Sequence, residues 1–278
     1  MTCERAEPPT AFVSTIESLA TRRLTPCGGG SMLWREWGEG RPLVLLHGAG
    51  GSWTHWIRNI LPLAQHFRVL VPDMPGFGDS DTPPEPHTAG TLADIVAAGT
   101  DVLVPPPTEL DLAGFSFGGI VGGLVSARRR HRVRTLVFLG PGGMALPHPA
   151  PPLVQIESGV TPPDEVQQVH RENLRKFVWR EKNRRARFKS RTIWASDALL
   201  KALPLINARI TGIWGGRDAF VGPHVEDRQR LLASFQRDLD FRVIEGAGHW
   251  VVYEAADQVN AALLDMLRAT PSRSLGAC

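Results

Sequence analysis

Short apolar runs recur along this chain at regular intervals, and most are followed by a stretch with helical periodicity. Pro42–Leu46, Arg68–Pro72, Leu110–Ala113, Val133–Leu139 and Arg209–Trp214 are mostly apolar over four to seven residues, the signature of strands buried on both faces. Met32–Trp37 and Phe241–Ile244 read as further strands. Between them, the spacing of apolar positions predicts helices over Trp56–Gln65, over Thr91–Val104 and, amphipathically, over Ala256–Arg268. A short helix is expected over Ala11–Arg23, broken by Pro26 and the triple glycine Gly28–Gly30. From Met144 to about Leu205 the rhythm stops, leaving a proline-rich connection and helical patterns without a clean strand. Strand–helix alternation of this kind specifies an α/β fold: a mostly parallel, doubly wound sheet with helices on both faces.

Composition narrows the class. The 278 residues can bury a large core. With 42% hydrophobic and 21% charged residues the chain matches neither a disordered nor a membrane-spanning one. The N-terminal Met1–Pro9 lacks the apolar core of a secretory signal. Cys3, Cys27 and Cys278 have no metal-ligand spacing, so the expected setting is a reducing cytoplasm with no metal or organic cofactor. The net charge of +3 conceals a basic block: residues 171–191 hold ten Lys/Arg against Glu172 and Glu181, and the remainder is net acidic. Charges at every helical spacing point in all directions, so most of the block reads as solvated surface. It is short and poor in interleaved aromatics, which argues against nucleic acid. The expected partner is a small-molecule substrate, with neither nucleic acid nor membrane, and a homodimer as the candidate assembly.

Chemistry concentrates where strands end. Leu110–Gly114 leads into Gly114-Phe115-Ser116-Phe117-Gly118, a Gly-x-Ser-x-Gly sequence that sets a serine on a sharp strand-to-helix turn. A side chain at Gly114 or Gly118 would collide with the neighbouring strand or helix. Asp218 follows the Arg209–Trp214 strand, and His249 follows the last one. In open parallel sheets ligands bind beyond the carboxyl ends of the strands, so one hydroxyl, one carboxylate and one imidazole are expected at the same edge. A serine hydroxyl needs a base to become a nucleophile. An imidazole can take a proton and return it, which suits His249 to that task, and Asp218 would hold its tautomer and stabilise its charged form. His47-Gly48-Ala49-Gly50, after the Pro42–Leu46 strand, supplies a flexible backbone beside the serine. Two N–H donors are expected to face the oxyanion, those of Phe117 and Ala49, with Gly50 next. Gly48-x-Gly50-x-x-Trp53 lacks the third glycine of a dinucleotide fingerprint. Gly48, Gly50, Trp53, Phe115 and Trp250 are expected to contact substrate, in an apolar and aromatic acyl pocket.

Together His-Gly-Ala-Gly, Asp-Met-Pro-Gly-Phe-Gly-Asp-Ser, Gly-Phe-Ser-Phe-Gly-Gly, Trp-Gly-Gly-Arg-Asp and Gly-Ala-Gly-His-Trp resemble the α/β-hydrolase fold family over roughly Met32 to Arg268. The resemblance implies an eight-stranded sheet and a helical cap at residues 144–205, inserted into a core of residues 31–143 and 206–270. An arm of residues 1–30 and a tail of residues 271–278 flank that core. It also implies a triad of Ser116, Asp218 and His249. A serine at the elbow is unlike the dehalogenase and epoxide-hydrolase branches, which carry aspartate there. Carboxylesterases and the carbon–carbon bond hydrolases of aromatic-ring degradation are the branches it resembles most. Trp250 after His249 resembles the second. Phe115 stands where that branch usually has Asn, and its longer Gly-Pro-Gly extension after His-Gly is absent. Its cap arginine for a substrate carboxylate falls in the region of Arg184 and Arg185. The expected function is hydrolysis of a small carboxylic ester through an acyl-enzyme on Ser116. The alternatives are hydrolytic cleavage of a ring-cleavage dienoate and a non-catalytic ligand-binding role.

Overall fold

The computed structural model describes residues 9–144, 197–221 and 224–269. One sheet runs through them. Its strands are β1 (Thr21–Cys27), β2 (Gly30–Trp37), β3 (Pro42–Leu46), β4 (Arg68–Pro72), β5 (Leu110–Phe115), β6 (Val133–Leu139), β7 (Arg209–Gly215) and β8 (Asp240–Ile244). The spatial order is β1-β2-β4-β3-β5-β6-β7-β8. From β4 to β8 every pairing is parallel, whereas β1–β2 and β2–β4 are antiparallel. The central strands are apolar because both faces are covered: all five residues of β3 and all six of β5 are buried.

Alternation along each strand divides the core. Val44 and Leu46 face one layer, packed with Leu92 and Val96 of helix Ala89–Leu103 and with Ile120 and Val121 of helix Phe117–Arg128. Leu43 and Leu45 face the other, packed with Ile60 and Leu63 of helix Ile60–Ala64 and with Val259, Leu263 and Met266 of helix Ala256–Arg268. Each such buried side chain contributes ~2 kcal/mol of transfer free energy, so these two layers hold the helices against the faces of the sheet.

Three regions differ from the sequence expectation. The helix expected over Ala11–Arg23 ends at Ser18, and Thr21–Cys27 is an edge strand paired with β2. Only Thr25 and Cys27 of β1 are buried, so its alternation is too weak to read. Pro26 sits on that edge strand, a place where a proline is tolerated. Gly28 and Gly29, expected to terminate a helix, form the hairpin turn joining Cys27 to Gly30, with Gly28 at φ +60°. The helix expected over Trp56–Gln65 is two pieces, a 3₁₀ turn at Trp53–Trp56 and a helix at Ile60–Ala64. Ser52 accepts the Thr54 N–H and so starts the first piece early. Helix Val225–Ala233 was not foreseen, since only Val225 and Leu232 of its nine residues are buried. Most of the expected cap, including the basic block with Arg184 and Arg185, lies outside the described residues. Residues 1–8 of the expected arm and 271–278 of the expected tail lie outside them as well.

At the amino edge of the sheet charges converge. Asp111 of β5, wholly buried, accepts from Arg41 Nε at 2.7 Å and from Arg134 Nε and Nη2 at 3.0 Å each. Arg41 and Arg134 also donate to the Leu267 carbonyl, and Arg209 donates to that of Met266. The last carbonyls of a helix have no intrahelical partner, and here three arginines satisfy two of them, fixing helix Ala256–Arg268 under the sheet.

Candidate active site

At the opposite edge, Ser116 joins β5 to helix Phe117–Arg128 with φ +53° and ψ −116°. Among the described residues no other non-glycine has a positive φ. That strain, of order 1–3 kcal/mol, persists because both sides are fixed. The Ser116 N–H donates to the Leu139 carbonyl at 2.9 Å, and its carbonyl accepts the Gly119 N–H at 3.0 Å. The glycines are required by close approach: a Cβ on Gly114 would stand 2.5 Å from the Gly118 carbonyl oxygen, and one on Gly118 would overlap that of Leu46.

Ser116, His249 and Asp218 form one hydrogen-bonded chain. Ser116 Oγ lies 2.9 Å from His249 Nε2, and His249 Nδ1 lies 2.9 Å from Asp218 Oδ2. An ionised carboxylate only accepts, so Nδ1 carries the proton and Nε2 is left to accept from the serine hydroxyl. Asp218 Oδ1 takes the Phe220 N–H at 2.9 Å, which fixes the carboxylate plane. All three residues are 2–4% exposed. The imidazole lies between the rings of Phe115 and Phe220, with centroids 5.2 and 4.3 Å away. Gly140 lies beside the pair, where a Cβ would come within 3.1 Å of Asp218 Oδ2.

The His47–Gly50 loop is held by two imidazoles. His47 Nε2 accepts the Met74 N–H at 2.9 Å, so its Nδ1 carries the proton and donates to the Gly48 carbonyl at 2.8 Å. Burial drives the His47 pKa below its ordinary 6.5, against the opposing pull of Asp73, which fits this neutral tautomer. His55 Nδ1 accepts the Gly48 N–H at 3.1 Å. The Gly48 amide is therefore already engaged, and no acceptor for the Ala49 or Phe117 amide occurs among the described residues. Gly50 adopts φ +69° at the loop's turn.

Beneath the loop lies a charge cluster centred on the buried Arg35–Asp73 pair, which the sequence did not reveal. Asp73 accepts Trp53 N–H at Oδ1 (2.8 Å), and at Oδ2 it accepts Arg35 Nη1 (3.0 Å) and Asp79 N–H (2.9 Å). The same guanidinium bonds Glu17 and Asp79 and lies over the Trp53 ring at 5.0 Å. Trp53, expected against substrate, is thus packed between Arg35 and Trp37. Phe115 and Trp250 are also buried, meeting each other and His55 at 4.7–5.8 Å. Phe115 packs against the imidazole of His249. Among the described residues no group of three His, Cys, Asp or Glu could hold a metal, and no helix is long and apolar enough to cross a membrane.

A mostly parallel sheet with a serine on a strained strand-to-helix turn, bonded through histidine to aspartate, defines the class of α/β-fold hydrolases. Comparison with known proteins agrees. The profile of the alpha/beta hydrolase family matches residues 43–262, so the chain belongs to that family. It is 28% identical over 263 residues to the 2-hydroxy-6-oxo-6-phenylhexa-2,4-dienoate hydrolase of Comamonas testosteroni, covering 84% of this chain and 90% of that one. Identity is 36% over 128 residues to the 2-hydroxy-6-oxo-2,4-heptadienoate hydrolase of Pseudomonas putida, a match spanning only 45% of that protein and 44% of this chain. Among solved structures, a membrane phospholipase A described as a bacterial virulence factor superposes with a TM-score of 0.73 at 23% identity, over 94% of this chain and 93% of that one.

Proposed function

We propose that this hydrolase works through an acyl-enzyme on Ser116 and that its substrate is a small carboxylic ester with an apolar acyl group. The observation that carries the reading is the Ser116–His249–Asp218 chain, two contacts of 2.9 Å at one sheet edge. His249 Nε2 takes the Ser116 proton as Oγ bonds the carbonyl carbon, and the Phe117 and Ala49 N–H groups face the oxyanion. Collapse breaks the ester C–O bond, and His249 returns the proton to the leaving alkoxide. Water, deprotonated by the same imidazole, then attacks the acyl carbon, releasing the carboxylate and restoring the serine. Residues 144–205 would roof this edge as a cap, with Arg184 and Arg185 as its candidate contacts to an anionic substrate.

The second reading, cleavage of a carbon–carbon bond in a dienoate acid, is favoured by the names of the relatives, which are dienoate hydrolases. The same serine chemistry serves it, with a carbanion as the leaving group. Parallel assays separate the two. Wild-type protein should hydrolyse p-nitrophenyl esters with an initial burst, abolished in Ser116→Ala. Bleaching of coloured ring-cleavage dienoates, with esters left untouched, would replace the first reading by the second.

A further inference from the structure

The base must be held to within a fraction of an ångström, yet His249 stands on a glycine-rich loop. Residues 245–250 read Glu-Gly-Ala-Gly-His-Trp, with Gly246 at φ +81°. Such a backbone has little stiffness of its own. Asp218 orients the imidazole ring but does not fix the main chain that carries it.

Two side chains do. Glu254, from the short helix Val251–Glu254, places its carboxylate across the residues flanking the histidine. Oε2 accepts the Gly248 N–H at 2.7 Å, and Oε1 accepts the Trp250 N–H at 3.2 Å. A Cβ on Gly248 would lie 3.1 Å from that carboxylate, so glycine lets the oxygen reach the amide. From the other side Arg217 holds the start of the loop. Its Nε and Nη2 donate to the Gly246 carbonyl at 3.0 and 2.6 Å, and its main-chain N–H donates to the Ala247 carbonyl at 2.8 Å. Arg217 immediately precedes Asp218. The turn that carries the acid therefore also grips the loop that carries the base, and the distance between acid and base follows from that grip.

We propose that Glu254 is a positioning residue for His249, with Arg217 as the second half of the same clamp. The inference rests on His249 being the catalytic base. Glu254 and Arg217 are both exposed. Exposed carboxylates and guanidiniums contribute little to global stability, and the Gly248 and Trp250 amides are left for solvent when the carboxylate is removed. Loss of the clamp should therefore appear in the geometry of catalysis before it appears in folding.

The test compares Glu254→Ala, Glu254→Gln and Arg217→Gln with wild type. A glutamine oxygen can accept one of the two amides while its NH₂ cannot accept the other, so Glu254→Gln keeps half of the clamp. Misplacing a catalytic group by a fraction of an ångström predicts kcat down by about 10-fold in Glu254→Ala and about 3-fold in Glu254→Gln, with KM within about twofold. Arg217→Gln should lose less, because its main-chain bond to Ala247 survives. Thermal midpoints should stay close to wild type.

A second readout needs no substrate. The His249 Nδ1 proton, hydrogen-bonded to Asp218, should give a far-downfield ¹H resonance in wild type that is missing in Asp218→Asn and broadened or shifted upfield in Glu254→Ala. Wild-type kcat and an unchanged resonance in Glu254→Ala would overturn the proposal. So would a kcat loss fully explained by a fall in the folded fraction. If wild type hydrolyses neither esters nor dienoates while the resonance still depends on Glu254, the clamp stands and the hydrolytic reading fails.

Discussion

The two edges of one sheet are built on opposite principles. At the amino edge, Asp111 is locked by two arginines, and three arginines close the end of helix Ala256–Arg268. At the carboxyl edge the main chain is strained at Ser116, glycine-lined at Gly114, Gly118 and Gly140, and organised by the imidazoles of His47, His55 and His249. Charge at the amino edge is paired and hydrogen-bonded in place. At the carboxyl edge, hydroxyl, imidazole and carboxylate are instead joined in one hydrogen-bonded chain. The lesson is that rigidity at one end supports strain at the other, and the two should come apart under mutation.

The largest expected effect is at the carboxyl edge. On the proposed mechanism Ser116→Ala should lower turnover by at least about 10³-fold, since a nucleophile acts as a unit with its base, while the urea midpoint stays level because alanine keeps the same strained backbone. Steady-state kinetics beside denaturation curves would check this. At the amino edge the pattern should invert. Asp111→Ala leaves Arg41 and Arg134 facing each other without their carboxylate and should cost about 3 kcal/mol of stability. Turnover per folded molecule should hardly change. A drop in kcat without loss of stability in that variant would break the comparison.

A subtler effect concerns pH. His47 is wholly buried, and burial holds its pKa below the ordinary 6.5. The unfolded chain then takes up a proton that the folded state refuses, so this contribution to stability is intact above about pH 6.5 and is lost progressively as pH falls below it. Urea midpoints measured at about pH 8 and about pH 5.5 should therefore diverge, and His47→Gln should flatten the difference. The smallest effect is expected on the exposed rim. Arg23, half exposed beside Glu36 at 3.1 Å, should change stability by no more than about 0.5 kcal/mol when replaced by alanine.

What could be read in the sequence follows the same division. β3, β4 and β6 have the bounds their apolar runs suggest, because a strand covered on both faces carries a continuous signal. Helix Ala256–Arg268 likewise begins and ends where its stripe does. The positions of Ser116, Asp218 and His249 after their strands were legible through the fold's own logic, since strand ends share an edge. β1 was not, because only Thr25 and Cys27 of its seven residues turn inward. Nor was the Arg35–Asp73–Glu17–Asp79 cluster. A buried ion pair and a surface one look alike in one dimension, and residues 17 and 79 meet only through the sheet. Glu254 is hidden for the same reason: its worth lies in two main-chain amides, and nothing in its residue type announces them.

The claim on which the rest depends is that Ser116 is the atom that bonds to substrate. Intact protein treated with a fluorophosphonate and mapped by peptide mass spectrometry tests it directly. One adduct per chain on the peptide carrying Ser116, with none in His249→Asn, is the predicted result. An adduct on another residue, or no adduct from a protein that still hydrolyses its substrate, would contradict it.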